Sequence, residues 1–177
     1  MNEKKKIDEA DYFLSQMHRT QNIPDNFDYN LSAFLSAGRT VCQYAQKEST
    51  NKPGGGGQNW YDTQINSSPV LSFFRDERDF NIHQEPVNPK KDINVVIDNY
   101  IGTSLSVTVL DNNLKEKNHL DLENKAPLKK DNISVTYRYY FHKWQGSEDV
   151  LSLCKKYLDE LKLFVQKGIA QGFLSVT

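Results

Sequence analysis

The chain has 177 residues, 25% of them charged, and a formal net charge of −1, values that suit one domain with a real core and argue against an extended nucleic-acid-coating surface. The charge is also even along the chain. Residues 1–89 hold 9 Lys and Arg against 12 Asp and Glu, and residues 90–177 hold 13 against 11, so no basic tail is present.

The opening Met1-Asn-Glu-Lys-Lys-Lys6 is basic, but no apolar run follows it. No signal peptide is expected, and no window of about 18 apolar residues exists for a membrane span. Lys5 to Arg19 then places Ile7, Ala10, Phe13, Leu14 and Met17 on one helical face. His18 has no second ligand-type residue at i+3 or i+4 and reads as a surface residue.

After Ile23-Pro24, Asp25 or Asn26 is expected to cap a second helix with the stripe Phe27, Leu31, Phe34, Gly38, Val41 and Ala45. Its small residues Ala33, Ser36, Ala37, Gly38 and Ala45 allow another helix to approach closely. Arg39 sits among them as a surface charge, of interest only if it faces the Arg78 segment. Lys52-Pro-Gly-Gly-Gly-Gly-Gln58 breaks the helix and lacks a Gly-Lys-Ser/Thr ending, so it reads as a flexible connection and not as a phosphate-binding loop.

Trp60, Tyr61 and Ile65 mark a short helix that stops near Asn66-Ser67. Ser68-Pro69, an N-cap followed by the favoured first-turn proline, restarts it. The third helical segment is thus expected to be kinked or split. Val70, Phe73, Phe74 and Phe80 carry the helical spacing onward, and Pro86 and Pro89 end it just after His83.

From Asp92 the period changes to two. Ile93 to Ile97, Leu105 to Val109 and Ile133 to Phe141 each alternate apolar with polar residues and are expected as three half-buried strands. Asp98-Asn99 predicts a tight turn and antiparallel pairing of the first two. Asp111 to Asp131, rich in Lys, Asn, Asp and Glu, reads as a long mobile connection with His119 as a solvated loop residue. From Ser147 as N-cap, Val150, Leu153, Tyr157, Leu158, Leu161, Phe164 and Val165 form the clearest helix, with Gly168 and Gly172 as stop signals. Cys42 and Cys154 fall on helical stripes, where free thiols behave as small buried hydrophobes, and neither CxxC nor Cys/His ligand spacing occurs. A reducing, cytoplasmic location is expected.

The expected fold is therefore mainly α (α+β), a single domain over 1–177. Four to five helices form an antiparallel bundle: helices over about 5–89, an inserted three-stranded antiparallel sheet over about 92–142, and the C-terminal helix over about 147–172. No cofactor or metal ligand set is visible, since GxSxG, HExxH, GxGxxG and paired cysteines are all missing.

What chemistry remains lies in Arg78-Asp79-Phe80-Asn81-Ile82-His83. Arginine offers a permanently charged fork that fits a phosphate bidentately, and histidine exchanges a proton near neutral pH. RNA cleavage by the 2′-hydroxyl needs both functions and no metal. The stretch resembles the motif of the HEPN superfamily, an arginine and a histidine separated by four to six residues, often with Asn, Asp or His directly after the arginine. The resemblance covers about the helical two-thirds of the chain; the strands are an addition to the minimal family bundle. It implies a helical bundle with the motif near the end of its third helix, and a metal-independent ribonuclease of toxin or defence type. By the same resemblance Arg78 stabilises the transition-state phosphate, His83 acts as general acid or base, and Asp79 orients one of them. A homodimer whose two motifs line one cleft, with RNA as partner, is likewise implied.

Two other readings stand beside it. Arg78 pairs with Asp79, Glu77 or another carboxylate while His83 closes a helix end, favoured there by the helix dipole. Or the chain is a non-catalytic interaction module in which Tyr137, Tyr139, Tyr140, Phe141 and Trp144 cover the bundle, meet a partner or stack bases. Core packing of Tyr137, Tyr139 and Phe141, with Arg138 and Tyr140 on the other strand face, is the expected use of that strand.

Overall fold

A computed structural model describes residues 2–83, 89–97, 103–110, 116–124 and 133–175, and for 78–83, 97, 103–110, 116–124 and 133 it describes the backbone alone. The elements in chain order are α1 (Asn2–Arg19), α2 (Pro24–Thr50), α3 (Gly57–Ser67), α4 (Pro69–His83), β1 (Lys90–Ile97), β2 (Thr103–Leu110), β3 (Glu116–Asn124), β4 (Ile133–Tyr140) and α5 (Val150–Ala170). The fold is mainly helical with strands inserted between α4 and α5. It divides into two compact units, one of residues 1–92 and 137–177, the other of residues 93–136.

The first unit is a helical bundle. In it α1 lies against α2 and α5, and α4 against α2, α3 and α5. The amphipathic stripes explain why. Ile7, Ala10, Leu14 and Met17 of α1 are buried, as is the whole expected stripe of α2, which Leu35, Ala37 and Cys42 widen. A stripe that broad meets neighbours on two sides. At Gly38 α5 packs tightly on α2: a Cβ there would lie 2.5 Å from Cε1 of the buried Tyr157.

Caps fix the helix ends, and two differ from expectation. Ile23, not Asp25 or Asn26, is the N-cap of α2 and makes no side-chain cap bond. Pro24 at the first position presets φ and starts the helix before either acid or amide can cap it. Likewise Asp149, not Ser147, caps α5, its carboxylate accepting from the Ser152 N–H at 2.8 Å. Ser68 does cap α4, with Oγ accepting from the Leu71 N–H at 3.0 Å, and its hydroxyl donates to Glu160 of α5. At the far end of α5, Gly168 lies inside the helix. Gly172, with φ of +77°, ends it as the Phe173 N–H bonds back to the Gly168 carbonyl at 2.9 Å.

The glycine run is a built turn. Gly54, Gly55 and Gly56 take positive φ, and Gly57 begins α3 so close to α2 that a Cβ would lie 1.9 Å from the Ser49 carbonyl oxygen. Backbone cannot step aside as a side-chain tip can, so Gly57→Ala is expected to cost about 3 kcal/mol. At Gly55 nothing lies within 4 Å, and Gly55→Ala pays only for its left-handed backbone, about 1 kcal/mol. Urea unfolding of the two variants measures the contrast; equal losses would contradict it.

Four strands, not three, occur among the described residues, in two two-stranded sheets: β1 with β4, and β2 with β3. The expected β1–β2 hairpin is therefore replaced. β3 lies within the stretch expected to be a connection, and His119 is a strand residue opposite Thr108. β2 and β3 run antiparallel, in a register that pairs Leu105 with Leu122 and Val107 with Leu120. A Leu-x-Leu alternation inside a charged run is too short to stand out alone; two apolar residues opposite it on β2 make it a strand.

The end of β4 belongs to the helical unit and is locked there. Tyr139 stacks on Phe27 with centroids 3.7 Å apart, and its hydroxyl donates to the Gln21 carbonyl at 2.9 Å. Burial pushes the Tyr139 phenol up to about 12. Lys91 reaches Asp28 at 3.2 Å and sits over the same ring. Burial raises the Asp28 carboxyl, and Lys91 offsets part of that rise.

Candidate functional site

Arg78, Asp79 and His83 occupy the last two turns of α4. Their side chains lie outside the described residues, so the site is built from the helix that carries them. The backbone break at Ser67–Ser68 splits the third helical segment into α3 and α4. Position 78 follows buried Leu71 by seven residues and buried Phe74 by four, which is the spacing of one helical stripe. Arg78 thus stands where α4 would otherwise continue its apolar face.

An aromatic platform fixes α4. Phe74 is 1% exposed and stacks on Tyr157 of α5 at 4.2 Å, with Phe34 and Phe141 edge-on to it at 6.4 and 5.6 Å. Phe73 meets Phe141 and Trp144 edge-on at 5.3 and 5.1 Å. Tyr139 and Phe141 are thereby consumed in the core, Tyr137 and Tyr140 are half-buried, and Arg138 is exposed. Base stacking on Tyr139 or Phe141 is ruled out by that burial.

Among the described residues, the charged groups of α4 that precede the motif are paired. Glu77, one of the carboxylates that could hold Arg78 in a structural role, is buried and pairs with Lys143 at 3.3 Å. Arg75 donates from Nε to Asp76 at 2.9 Å, from Nη1 to Asn66 at 3.1 Å and from Nη2 to Ser72 at 3.2 Å. That fork braces the end of α3 against α4. Arg39 is half-buried, with Nη1 donating to the Tyr61 hydroxyl at 3.3 Å.

No family model matches the sequence, and neither a curated protein nor a solved structure matches it. The chemistry is left to the residues.

Beneath Arg39 lies a buried polar knot that the sequence did not signal, since its members are spread over three helices. Burial pushes the Cys42 thiol up to about 11, against the pull of Arg39 and of a hydrogen bond with Tyr157. Burial also raises Tyr61, and it raises Tyr157 well above the usual phenol range, where the Cys42 thiol adds to the rise. Cys154 is raised by burial as well. Both cysteines are buried and free, so neither is a nucleophile near neutral pH. Native protein is therefore expected to leave both thiols unreacted with a disulfide reagent until denaturant is added; rapid stoichiometric labelling of the folded chain would contradict this.

His18 and His142 are exposed, and among the described residues no group of three His, Cys, Asp or Glu is placed to hold a metal ion. Nor is any helix among them long and apolar enough to cross a membrane.

Proposed function

We propose that the chain is a HEPN-like, metal-independent endoribonuclease of toxin or defence type, acting in the cytoplasm through Arg78 and His83 with Asp79 as the orienting group. The observation that carries the reading is that Arg78-Asp79-x-x-x-His83 closes a helix of a bundle whose α4 is anchored by Phe73 and Phe74. Arg78 grips the non-bridging oxygens of the scissile phosphate. His83 takes the proton of the 2′-hydroxyl, which attacks phosphorus, or returns one to the departing 5′-oxygen. The P–O5′ bond breaks as the P–O2′ bond forms, giving a 2′,3′-cyclic phosphate and a 5′-hydroxyl.

The HEPN resemblance adds a homodimer to this reading, in which two copies of the motif line one cleft about a two-fold axis. The test is cleavage of single-stranded RNA in the presence of EDTA, with the cyclic phosphate identified on the product and the oligomeric state read by light scattering. Failure on varied RNAs sinks the ribonuclease reading, and the chain is then an interaction module.

A further inference from the structure

A depression of about 410 Å³ opens where the end of α1 and the turn after it meet β4 and the first turns of α5, a size at which proteins bind small molecules. His18, Arg138 and Lys155 reach it from three separate elements. The fold holds the backbone of Arg138 still. On one side of it Tyr137 donates its N–H to Asn22 Oδ1 at 3.2 Å and accepts at its carbonyl from Gln21 Nε2 at 2.7 Å; on the other, Tyr139 is stacked on Phe27. Successive side chains of a strand point to opposite faces, so the two clamped tyrosines leave Arg138 on the face that lines the depression.

Among the described residues neither Arg138 nor His18 has a hydrogen bond, an ion pair or a ring contact. The acid in the wall, Asp149, is occupied by the fold, because its Oδ1 accepts from the Ser152 N–H at 2.8 Å. Lys155 pairs with Asp159 at 2.6 Å, but both ends of that bridge are exposed and a competing anion displaces such a pair at little cost. A positive wall with an unspent guanidinium fork suits an anion. A planar carboxylate fills the fork alone, whereas a tetrahedral phosphate has oxygens left over for an ammonium and an imidazole.

We propose that this depression binds the phosphate of a phosphate monoester, held by the Arg138 fork with Lys155 and the His18 imidazole on the remaining oxygens. The site is independent of Arg78 and His83.

Titration calorimetry on the full chain at fixed ionic strength tests it, with AMP, inorganic phosphate, adenosine and acetate as probes. AMP and inorganic phosphate are expected to bind one to one, and adenosine and acetate at least about tenfold more weakly than AMP. Arg138→Gln should weaken AMP binding at least about tenfold, and Arg138→Lys should recover little of it, because an ammonium lacks the fork. His18→Gln should weaken it about threefold or more. Both positions are exposed, so these variants should melt as wild type does. Lys156→Gln, at a residue paired with Glu148 outside the depression, should leave AMP binding unchanged, as should Arg78→Ala. A 5′-phosphorylated DNA pentamer bound as tightly as AMP, or more tightly, makes the natural ligand a strand end; weaker binding makes it a free phosphorylated small molecule. AMP binding that is absent at about 10 mM, matched by adenosine, indifferent to Arg138→Gln or lost in Arg78→Ala overturns the proposal. None of these readouts depends on RNA cleavage.

Discussion

Arg78→Ala is expected to slow RNA cleavage by about a thousandfold or more, the scale on which losing a preorganised donor to a developing phosphate charge is felt. His83→Ala is expected to cost about 100- to 10,000-fold, the usual contribution of a positioned acid or base. The two variants should differ in what rescues them. Arg78→Lys keeps the charge but not the planar fork and should recover little activity, because an ammonium cannot hold two phosphate oxygens in parallel. His142→Ala, which removes an exposed imidazole remote in sequence from the motif, should leave the rate unchanged. Each variant must melt with wild-type cooperativity for its rate to count. A folded His83→Ala protein as active as wild type would exclude the proposed chemistry.

The largest stability effect is expected at the residue that holds α4. Phe74→Ala empties the centre of a group formed by Phe34, Phe73, Phe141 and Tyr157, drawn from α2, α4, α5 and the segment after β4. The partners come from separate elements, so they cannot all relax into the space, and the loss is expected to be about 3–5 kcal/mol by urea unfolding. Such a loss approaches the whole stability of many domains. Phe73→Ala, at a half-buried position, should cost clearly less. If the two were equal, the platform would not be centred on Phe74. Because Phe74 stands four residues before Arg78, its removal is also expected to loosen the helix end that carries the motif, and any cleavage activity should fall with it.

Helical order was legible in the sequence because it is local. Ile7 to Met17, Phe27 to Ala45 and Val150 to Val165 repeat at the helical period, and a face of that width must be buried whatever covers it. Ser68-Pro69 likewise predicted the start of α4 from two adjacent residues. The spacing of Arg78, Asp79 and His83 is local in the same sense, which is why the motif could be found before any fold was known. Tertiary structure decided what depends on partners far away in the chain. β1 pairs with β4 and β2 with β3 because strand pairing is a contest among non-neighbouring segments, and Leu120 and Leu122 signal a strand only when Leu105 and Val107 lie opposite. Gly38 was read as a place where another helix could come close, and Tyr157 of α5 does; Gly57, read as part of a flexible connection, is instead pressed against the Ser49 carbonyl. Glu3 is buried in the finished fold, although no apolar stripe in the sequence marked that position. Burial of that kind is set by which ends of which elements meet, and no short stretch of sequence contains that information.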